Sequence, residues 1–479
     1  MHPDDAEKPR RLIQNTTIDI LGEIFVHCLA DVPPNCHPDD FNLPQHDKEC
    51  WISEAQITLR QQQPFRLAAV CSSWRAACLA TPRMWQTIDI CLNGTALIRA
   101  GAAATMVQDV LRYSGAIPLR IRVFHWLYST DRDRQWDDPQ VELLVVALQA
   151  AMARCGTLMV SGHVSPQLDL DPLGRILRVN TPQLHAASLC GGFWVCGVDE
   201  RPPLPPEACI LPDVNRLRLL EIDGSFLSGF RDMASFVNAQ KAYLKVNTWA
   251  DHNRDLAFRF LHTAPRLTTV IMDNPCLDQA SAPATQVTSC ASVTKNKLNM
   301  DRSAHARSLT ELDLSFMLQL SFPRLETIEV MGFNESAPKC TDLLRHLVSP
   351  NHTTNVVLHV MCSTIELLPA LDQARKLRSL TLIGHIFESR DQFADWCGGF
   401  LLSAQNYGAR WRHELEELFL HDAVFNTPWG EHDGTRLAHS IADTPFSVFP
   451  HLKRFEVVEK GTLTSHDILS YITGWQSTV

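Results

Sequence analysis

A short apolar pattern recurs along the chain from residue 182 onward and constrains its fold more than any other feature. Its form is Leu-x-x-apolar-x-apolar, and in five places a proline stands two residues before the leading apolar residue. The last two apolar positions alternate with a polar one, so they line one face of a short β-strand. One such strand cannot bury that face alone, whereas strands stacked side by side enclose a shared core.

The copies of the pattern are spaced irregularly, at intervals of 16 to 53 residues, while regular leucine-rich repeats run at roughly 20 to 29 residues. Helical patterns at Asp255 to Ala264, Cys340 to Val348 and Asp391 to Gln405 fall between copies. We therefore predict an α/β fold with an irregular leucine-rich-repeat-like solenoid over residues 179–479. An ordinary α/β domain with several leucine-rich strands is the alternative. The leading apolar residues are Leu184, Val214, Leu267, Leu309, Leu325, Leu377, Leu415 and Leu452, and Val356 to Val360 is a further candidate strand.

The region before this array predicts a helical module over residues 16–92. Apolar residues from Thr16 to Leu29 recur at spacings of three and four, which gathers them on one helical stripe. A second helical pattern runs from Phe65 to Cys78, and the strand-like Ile88-Asp89-Ile90 closes the module.

Three segments of this module together resemble the F-box motif, in the form seen in large fungal F-box families. They are Ile20-Leu21-Gly22-Glu23-Ile24-Phe25, Val70-Cys71-Ser72-Ser73-Trp74-Arg75 and Thr81-Pro82-Arg83-Met84-Trp85. The resemblance implies a small all-α module that binds a Skp-type adaptor and, through it, a cullin. It also implies a leucine-rich C-terminal array that binds an unknown target protein, as in the substrate receptor of a Skp–cullin–F-box ubiquitin ligase.

The chain departs from the family pattern in two places. Thr16-Thr17 stands where the family usually has Leu-Pro. About 25 extra residues separate the two helical patterns, within residues 30–63, compared with a short interhelix loop. The first departure leaves a second hypothesis open, in which the chain is a leucine-rich binding scaffold that does not direct ubiquitination.

The apolar face of the module is the predicted adaptor-binding surface. Two or three short helices bury too little surface to be stable alone, so a partner would complete their core. The alternative is that the same residues form the module's own core, and Trp85 is then the most internal of them. The predicted surface comprises Ile20, Leu21, Ile24, Phe25, Leu67, Val70, Trp74 and Trp85.

Composition and periodicity distinguish three further segments of the chain. Residues 1–15 are expected to be a flexible N-terminus, and residues 274–307, which lack periodicity, a mobile insertion. Residues 93–178 alternate helical and strand patterns, which predicts a linking α/β region that contains the first repeats. Its helices are expected at Met106 to Tyr113 and Val141 to Arg154, and its strands at Pro118 to Phe124 and Thr157 to Val160.

Charge and cysteine content bear on the partners and the cellular compartment of the protein. The formal charge is -10 and the pI near 6.0, without a Lys/Arg block, which disfavours nucleic acid and anionic membranes as partners. The 15 cysteines include no CxxC pair, so reduced thiols and a cytoplasmic and/or nuclear location are expected.

Catalysis, a cofactor and a metal site have no motif to support them, since the sequence lacks GxSxG, GxxxxGK[ST], GxGxxG and HExxH. We therefore expect a non-enzymatic protein without cofactor or metal. A third hypothesis remains, in which Cys190 or Cys397, each followed by two glycines, acts as a nucleophile with His185 or His413 as base.

Overall fold

The chain forms two compact units, residues Met1–Ala239 (unit 1) and Gln240–Val479 (unit 2). The division falls inside the predicted segment 179–479, and the predicted boundaries at 15/16, 92/93 and 178/179 remain predictions. The computed structural model describes residues 17–30, 62–92, 100–125, 138–164, 171–193, 209–227, 229–230, 236–245, 251–273, 288–299, 315–333, 338–360, 368–384, 386–387, 396, 410–425, 449–459 and 465–467.

Unit 1 combines helices at its N-terminus with a parallel sheet. Its helices are α1 (Ile18–Ala30), α2 (62–68), α3 (Ser72–Ala80), a 3-10 helix (Pro82–Trp85), α4 (Ala100–Tyr113), α5 (Pro139–Met152), α6 (Pro172–Leu177) and α7 (Gly224–Leu227). Its strands are β1 (Thr87–Cys91), β2 (Leu119–His125), β3 (Cys155–Val164), β4 (Ala186–Phe193) and β5 (Leu219–Asp223).

The strands of unit 1 pair in chain order, and every neighbour is parallel. Parallel neighbours need a crossover connection, and α4, α5 and α6 supply it between successive strands from β1 to β4. Two rows of buried side chains cross the inner face of the sheet, repeating every 29 to 37 residues. The rows are Ile88, Ile121, Leu158, Ala187, Leu220 and Ile90, Val123, Val160, Leu189, Ile222.

Unit 2 repeats the same strand-and-connection order. Its strands are β6 (Lys241–Lys245), β7 (Thr269–Asp273), β8 (Thr288–Ser289), β9 (Lys295–Asn299), β10 (Leu320–Ser321), β11 (Thr327–Phe333), β12 (Asn355–Val360), β13 (Ser379–Ile383), β14 (Ile386–Phe387), β15 (Glu417–Phe425), β16 (Arg454–Glu459) and β17 (Ser465–Asp467). Its helices are α8 (Asp251–Thr263), α9 (Ser315–Leu318), α10 (Pro338–Leu347), α11 (Leu368–Leu371) and a 3-10 helix (Arg410–His413).

The main sheet of unit 2 is parallel from β6 to β16, in the order β6-β7-β9-β11-β12-β13-β15-β16, and ends with the antiparallel β17. Strands β8 and β10 pair separately, and β14 pairs with the end of β15. Two inner rows again cross the sheet, repeating every 24 to 38 residues. They are Ala242, Val270, Asn296, Ile328, Val356, Leu380, Leu418, Phe455 and Leu244, Met272, Leu298, Val330, Leu358, Leu382, Leu420, Val457.

The mixed α/β class with a long parallel sheet is confirmed, but the predicted repeat positions need two corrections. The sequence pattern does not predict β6 and β9, because Ala242 and Asn296 occupy positions where a larger aliphatic residue was expected, whereas the candidate strand Val356 to Val360 is confirmed as β12. The copy assigned to Val214 is displaced by three residues, since Leu220 and Ile222 of β5 point inward. Leu309 lies outside the described residues.

The predicted mobile insertion over 274–307 is wrong for its central part. Residues 288–299 form β8 and β9, and β9 pairs with β7 on one side and β11 on the other. The segment looked unstructured because few of its residues are apolar, but Cys290, Val293 and Leu298 are enough to anchor it, and all three are buried.

Asn296 is a fully buried amide in the inner row, between Val270 of β7 and Ile328 of β11, and neither its oxygen nor its nitrogen has a hydrogen-bond partner. An unpaired buried amide costs about 1–3 kcal/mol. We expect Asn296→Val to raise the free energy of unfolding by about 1–2 kcal/mol, measured by denaturant titration.

The matched control is Asn355→Val, the same change at an exposed position of the neighbouring region of the sheet. It should stabilise the protein less than the buried replacement does. A lower free energy of unfolding for Asn296→Val would show that the amide is hydrogen-bonded after all.

Candidate docking surface on the N-terminal helices

Helix α1 is apolar on two sides, and only one of them is buried. Leu21 and Phe25 are 4% and 2% exposed, whereas Ile20 and Ile24 are 55% and 47% exposed. Residues four apart lie above one another on a helix, so Ile20 and Ile24 form a continuous apolar strip. We call these two residues the α1 strip.

The buried side of α1 packs against α3 and the 3-10 helix. The Phe25 ring lies 4.7 Å from the Trp74 ring, centroid to centroid, at an interplanar angle of 54°. At Gly22 the backbone comes so close that a Cβ would overlap Thr81 Oγ1, which donates a hydrogen bond of 2.8 Å to the Ala77 carbonyl. Glycine at position 22 therefore allows α1 to approach Thr81 closely.

Trp85 belongs to the core and not to a docking face. It is 1% exposed, and its Nε1 donates a 2.8 Å hydrogen bond to the Cys78 carbonyl. Its ring contacts Phe65 at 5.0 Å and Tyr113 at 4.8 Å. The N-terminal helices and helix α4 therefore share one core around Trp85. This is the internal position that was expected for Trp85 among the eight predicted residues.

The second helical pattern is broken into two helices, which corrects the prediction of a continuous one. Residues 69–70 form a turn, and Cys71 has an extended backbone with φ of -161°. Cys71 Sγ accepts a 3.5 Å hydrogen bond from the Trp74 amide and caps α3. The turn places Val70 in solvent, 58% exposed, while Leu67 and Trp74 are half-buried.

The eight predicted residues thus divide into three groups. Ile20, Ile24 and Val70 are exposed, Leu67 and Trp74 are half-buried, and Leu21, Phe25 and Trp85 are buried. The last three are placed where a partner does not reach them, because the chain's own helices cover them. The role of the set in adaptor binding remains a prediction.

Two further exposed apolar residues in these helices were not predicted. Of the nine large apolar side chains that are exposed in the described part of the chain, five lie in α1, α3 and the turn before it. They are Ile18, Ile20, Ile24, Val70 and Leu79. Clustered exposed apolar residues mark interaction sites, whereas single ones do not. Leu79 was missed because it follows the buried Cys78 and lies off the apolar stripe.

A second surface is the outer face of the sheet in unit 2, opposite the inner rows. Lys297 of β9 donates a 2.5 Å hydrogen bond to Glu329 Oε1 of β11, and His359 Nε2 of β12 lies 3.4 Å from the same oxygen. Burial alone would raise the pKa of Glu329, but interactions with His359 and Lys297 outweigh it and hold the pKa at about 2. The three side chains are only partly exposed.

The same outer face carries an aromatic group further along. The guanidinium of Arg454 lies 4.9 Å from the centroid of the Phe419 ring, and the His421 ring meets Phe419 edge-on at 5.6 Å. Arg454 is also paired with Glu456 and keeps 54% of its side chain exposed. Arginine and aromatic residues are enriched at protein interfaces, and Arg454 and Phe419 lie together on this face.

The outer face of unit 1 differs, because two of its carboxylates are buried and hydrogen-bonded within the sheet. Arg122 donates two hydrogen bonds of 2.6 and 2.7 Å to the Asp89 carboxylate, and Ser188 Oγ donates one of 2.5 Å to Glu221. Asp89 and Glu221 are 3% and 0% exposed, whereas Arg120 of β2 is exposed on the same face. The two carboxylates therefore offer little to a partner.

The proposed thiol site does not come together at Cys190. His185 and Cys190 are five residues apart along β4 and its entry, which corresponds to about 16 Å of extended chain. Cys397 lies outside the described residues. Two other thiols are not nucleophilic, because burial raises the pKa of Cys155 and Cys290 to about 12 and keeps them protonated.

Within the described part of the chain, no three His, Cys, Asp or Glu side chains are grouped to hold a metal ion.

Comparison with known proteins adds little. No family model matches the chain, and no curated protein matches it. Among solved structures, the chain is similar to the leucine-rich repeat-containing protein LegL7 from Legionella pneumophila. The identity is 11% and the TM-score 0.33, over 75% of this chain and 98% of that chain. The fold therefore rests on the strands and register described above. Among the described helices, none has the length and hydrophobicity needed to cross a bilayer.

The close approach at Gly22 can be tested with a double-mutant cycle. Gly22→Ala should lower the free energy of unfolding by about 1–3 kcal/mol, because the added methyl overlaps Thr81 Oγ1. Removing that oxygen in Gly22→Ala/Thr81→Ala should recover part of the loss. If the two substitutions are simply additive in thermal unfolding, α1 does not approach Thr81 in this way.

The low pKa of Glu329 predicts a pH-dependent contribution to stability. A carboxyl whose pKa falls from 4.5 to about 2 on folding stabilises the folded state above pH 4.5 and loses that effect as the pH falls towards 2. Glu329→Gln should therefore cost about 1–3 kcal/mol at pH 7 and progressively less below pH 4.5. Denaturant unfolding at several pH values measures this.

The control for that series is Glu326→Gln, an exposed glutamate three residues earlier. Its effect on unfolding should be small at every pH. A constant difference between wild type and Glu329→Gln from pH 7 to pH 3 would contradict the proposed pairing with Lys297 and His359.

Proposed function

We propose that the chain is a non-catalytic receptor subunit of a Skp–cullin–F-box type ubiquitin ligase. In this proposal, the N-terminal helices bind a Skp-type adaptor and, through it, a cullin, and the outer sheet face of unit 2 binds the target protein. The mechanism is proximity, because a bound target is held within reach of the enzyme that carries activated ubiquitin. No chemical step falls to this chain.

The observation that supports the docking half most directly is the α1 strip. Ile20 and Ile24 are exposed on a helix whose opposite side, at Leu21 and Phe25, is already buried against the chain's own helices. Burying an isoleucine side chain contributes about 1.5–3 kcal/mol. A helix with a spare apolar side is suited to completing its packing with another protein.

The outer face of unit 2 supports the target-binding half. It combines a charged group at Lys297, Glu329 and His359 with an exposed guanidinium over Phe419. Aromatic residues and arginine dominate the energetics of protein interfaces. Interaction on this face would be polar and specific, whereas interaction at the α1 strip would be apolar.

A scaffold that binds the adaptor without directing ubiquitination is the second candidate, favoured by Thr16-Thr17 in place of the family's Leu-Pro. A ligase reconstituted with charged ubiquitin-conjugating enzyme separates the two. Ubiquitin transfer to a protein co-purified with the chain supports the receptor, and adaptor binding without any transfer supports the scaffold.

Adaptor binding is tested with Ile20→Asp/Ile24→Asp. Because both side chains are exposed, the variant should fold normally, and its affinity for a purified Skp-type adaptor should fall at least about 100-fold. Isothermal titration measures the affinity, and circular dichroism verifies the fold. Substitutions at Leu21 or Phe25 would report on folding instead, because both are buried.

The matched control is Leu143→Asp/Val146→Asp on α5. These side chains are 51% and 52% exposed, so the chemical change and exposure are the same on a different helix. The control should bind the adaptor like wild type. Equal affinity of both double variants would exclude the α1 strip as the docking site.

A further inference from the structure

Lysine is distributed very unevenly along the chain. Ten lysines are present in all, and none occurs from residue 49 to residue 240, where there are 17 arginines. From residue 241 to the C-terminus there are eight lysines and 14 arginines. A general preference for arginine in this chain does not explain the difference, because unit 2 uses both residues freely.

The structure explains only some of the arginines of unit 1. Arg122 and Arg175 each make two hydrogen bonds to one carboxylate, and Arg154 reaches the Leu111 and Ile117 carbonyls and Ser114 Oγ. These contacts need the planar fork of a guanidinium. In contrast, Arg66, Arg120, Arg216 and Arg218 are exposed, and a lysine would supply the same charge there.

Arginine and lysine differ in one chemical respect that matters beside a ubiquitin-transferring enzyme. A deprotonated lysine amine attacks the thioester carbonyl that joins the ubiquitin C-terminus to the enzyme's cysteine. An isopeptide bond forms, the carbon–sulfur bond breaks, the cysteine thiolate leaves, and the amine gives up a proton to solvent. A guanidinium stays protonated and is not a nucleophile at physiological pH.

We infer that the surface of unit 1 from residue 49 onward is kept free of lysine amines so that the ligase does not transfer ubiquitin to its own receptor. The two lysines of unit 1, Lys8 and Lys48, precede this stretch. This inference rests on the proposed function and extends it. Unit 1 is the relevant surface because the docking helices share a core with helix α4, which connects the first two strands of its sheet, through contacts of Trp85 with Phe65 and Tyr113. Whatever approaches the adaptor therefore also approaches unit 1, and arginine keeps that surface charged without offering an acceptor.

The experiment installs acceptors on unit 1. The full chain with Arg120→Lys, Arg216→Lys and Arg218→Lys is assembled with adaptor, cullin, charged ubiquitin-conjugating enzyme and ubiquitin. Self-modification is followed on gels and mapped by mass spectrometry. We expect self-modification to rise about tenfold over wild type, since held proximity dominates the rate, with the new isopeptide bonds at the installed lysines.

The matched control installs lysines in unit 2 at Arg324 and Arg375, which are also exposed. Unit 2 already carries exposed amines at Lys295, Lys376 and Lys453, so Arg324→Lys/Arg375→Lys should change self-modification little. Transfer from the charged enzyme to free lysine in solution, measured in the same mixture, verifies that the ligase is active.

Two results would overturn the inference, and they differ in what else they overturn. If the ligase assembles and is active but leaves the installed lysines of unit 1 unmodified, the inference about the lysine-free surface is refuted while the proposed function stands. Failure of the chain to bind the adaptor refutes the proposed function, and the inference is lost with it.

Discussion

The register of the parallel strands is the constraint on which the rest of the structure depends. Each strand must present two side chains, two residues apart, at the same level as those of its neighbours, so that the inner rows are continuous. Loops and helices between strands vary in length without affecting this alignment. The strand pairing is therefore regular even though the spacing in sequence is not.

The register also tolerates polar residues where neighbours compensate. Thr353 stands at a leading position that is leucine in several other repeats, and it is fully buried. Its hydroxyl donates to the Leu325 carbonyl at 2.9 Å and accepts from the Ser349 amide at 2.8 Å, so both hydrogen-bonding capacities are used. Asn296 receives no such compensation, yet β9 forms, because strands on both sides hold it in place.

The residues of the inner rows show which strands could be predicted from the sequence and which could not. The strands that follow Leu267, Leu325, Leu377 and Leu415 were predictable, because the alternation of apolar and polar residues is visible within each segment alone. The strands of Ala242 and Asn296 were not predicted, because the burial of these two residues depends on partners outside their own segment. Helical periodicity likewise placed Ile20, Leu21, Ile24 and Phe25 on one broad apolar stripe of α1. Which of these side chains are buried depends on the packing at Gly22 and Trp74, and periodicity does not contain that information. The break at Cys71 depends on a cap that periodicity does not register.

The two units treat the outer faces of their sheets differently, which bears on where each partner would bind. In unit 1, the Asp89 carboxylate on that face is buried and bidentately paired with Arg122, while Ile20 and Ile24 of α1 are exposed. In unit 2, Arg454 stays half-exposed over Phe419 although Glu456 pairs with it. A buried carboxylate that is already paired gains little from a partner, whereas a half-exposed guanidinium on an aromatic ring still has donors to offer. The apolar helix of unit 1 and the polar sheet face of unit 2 therefore differ in the chemistry that each offers to a partner, and the proposed receptor function needs such a difference.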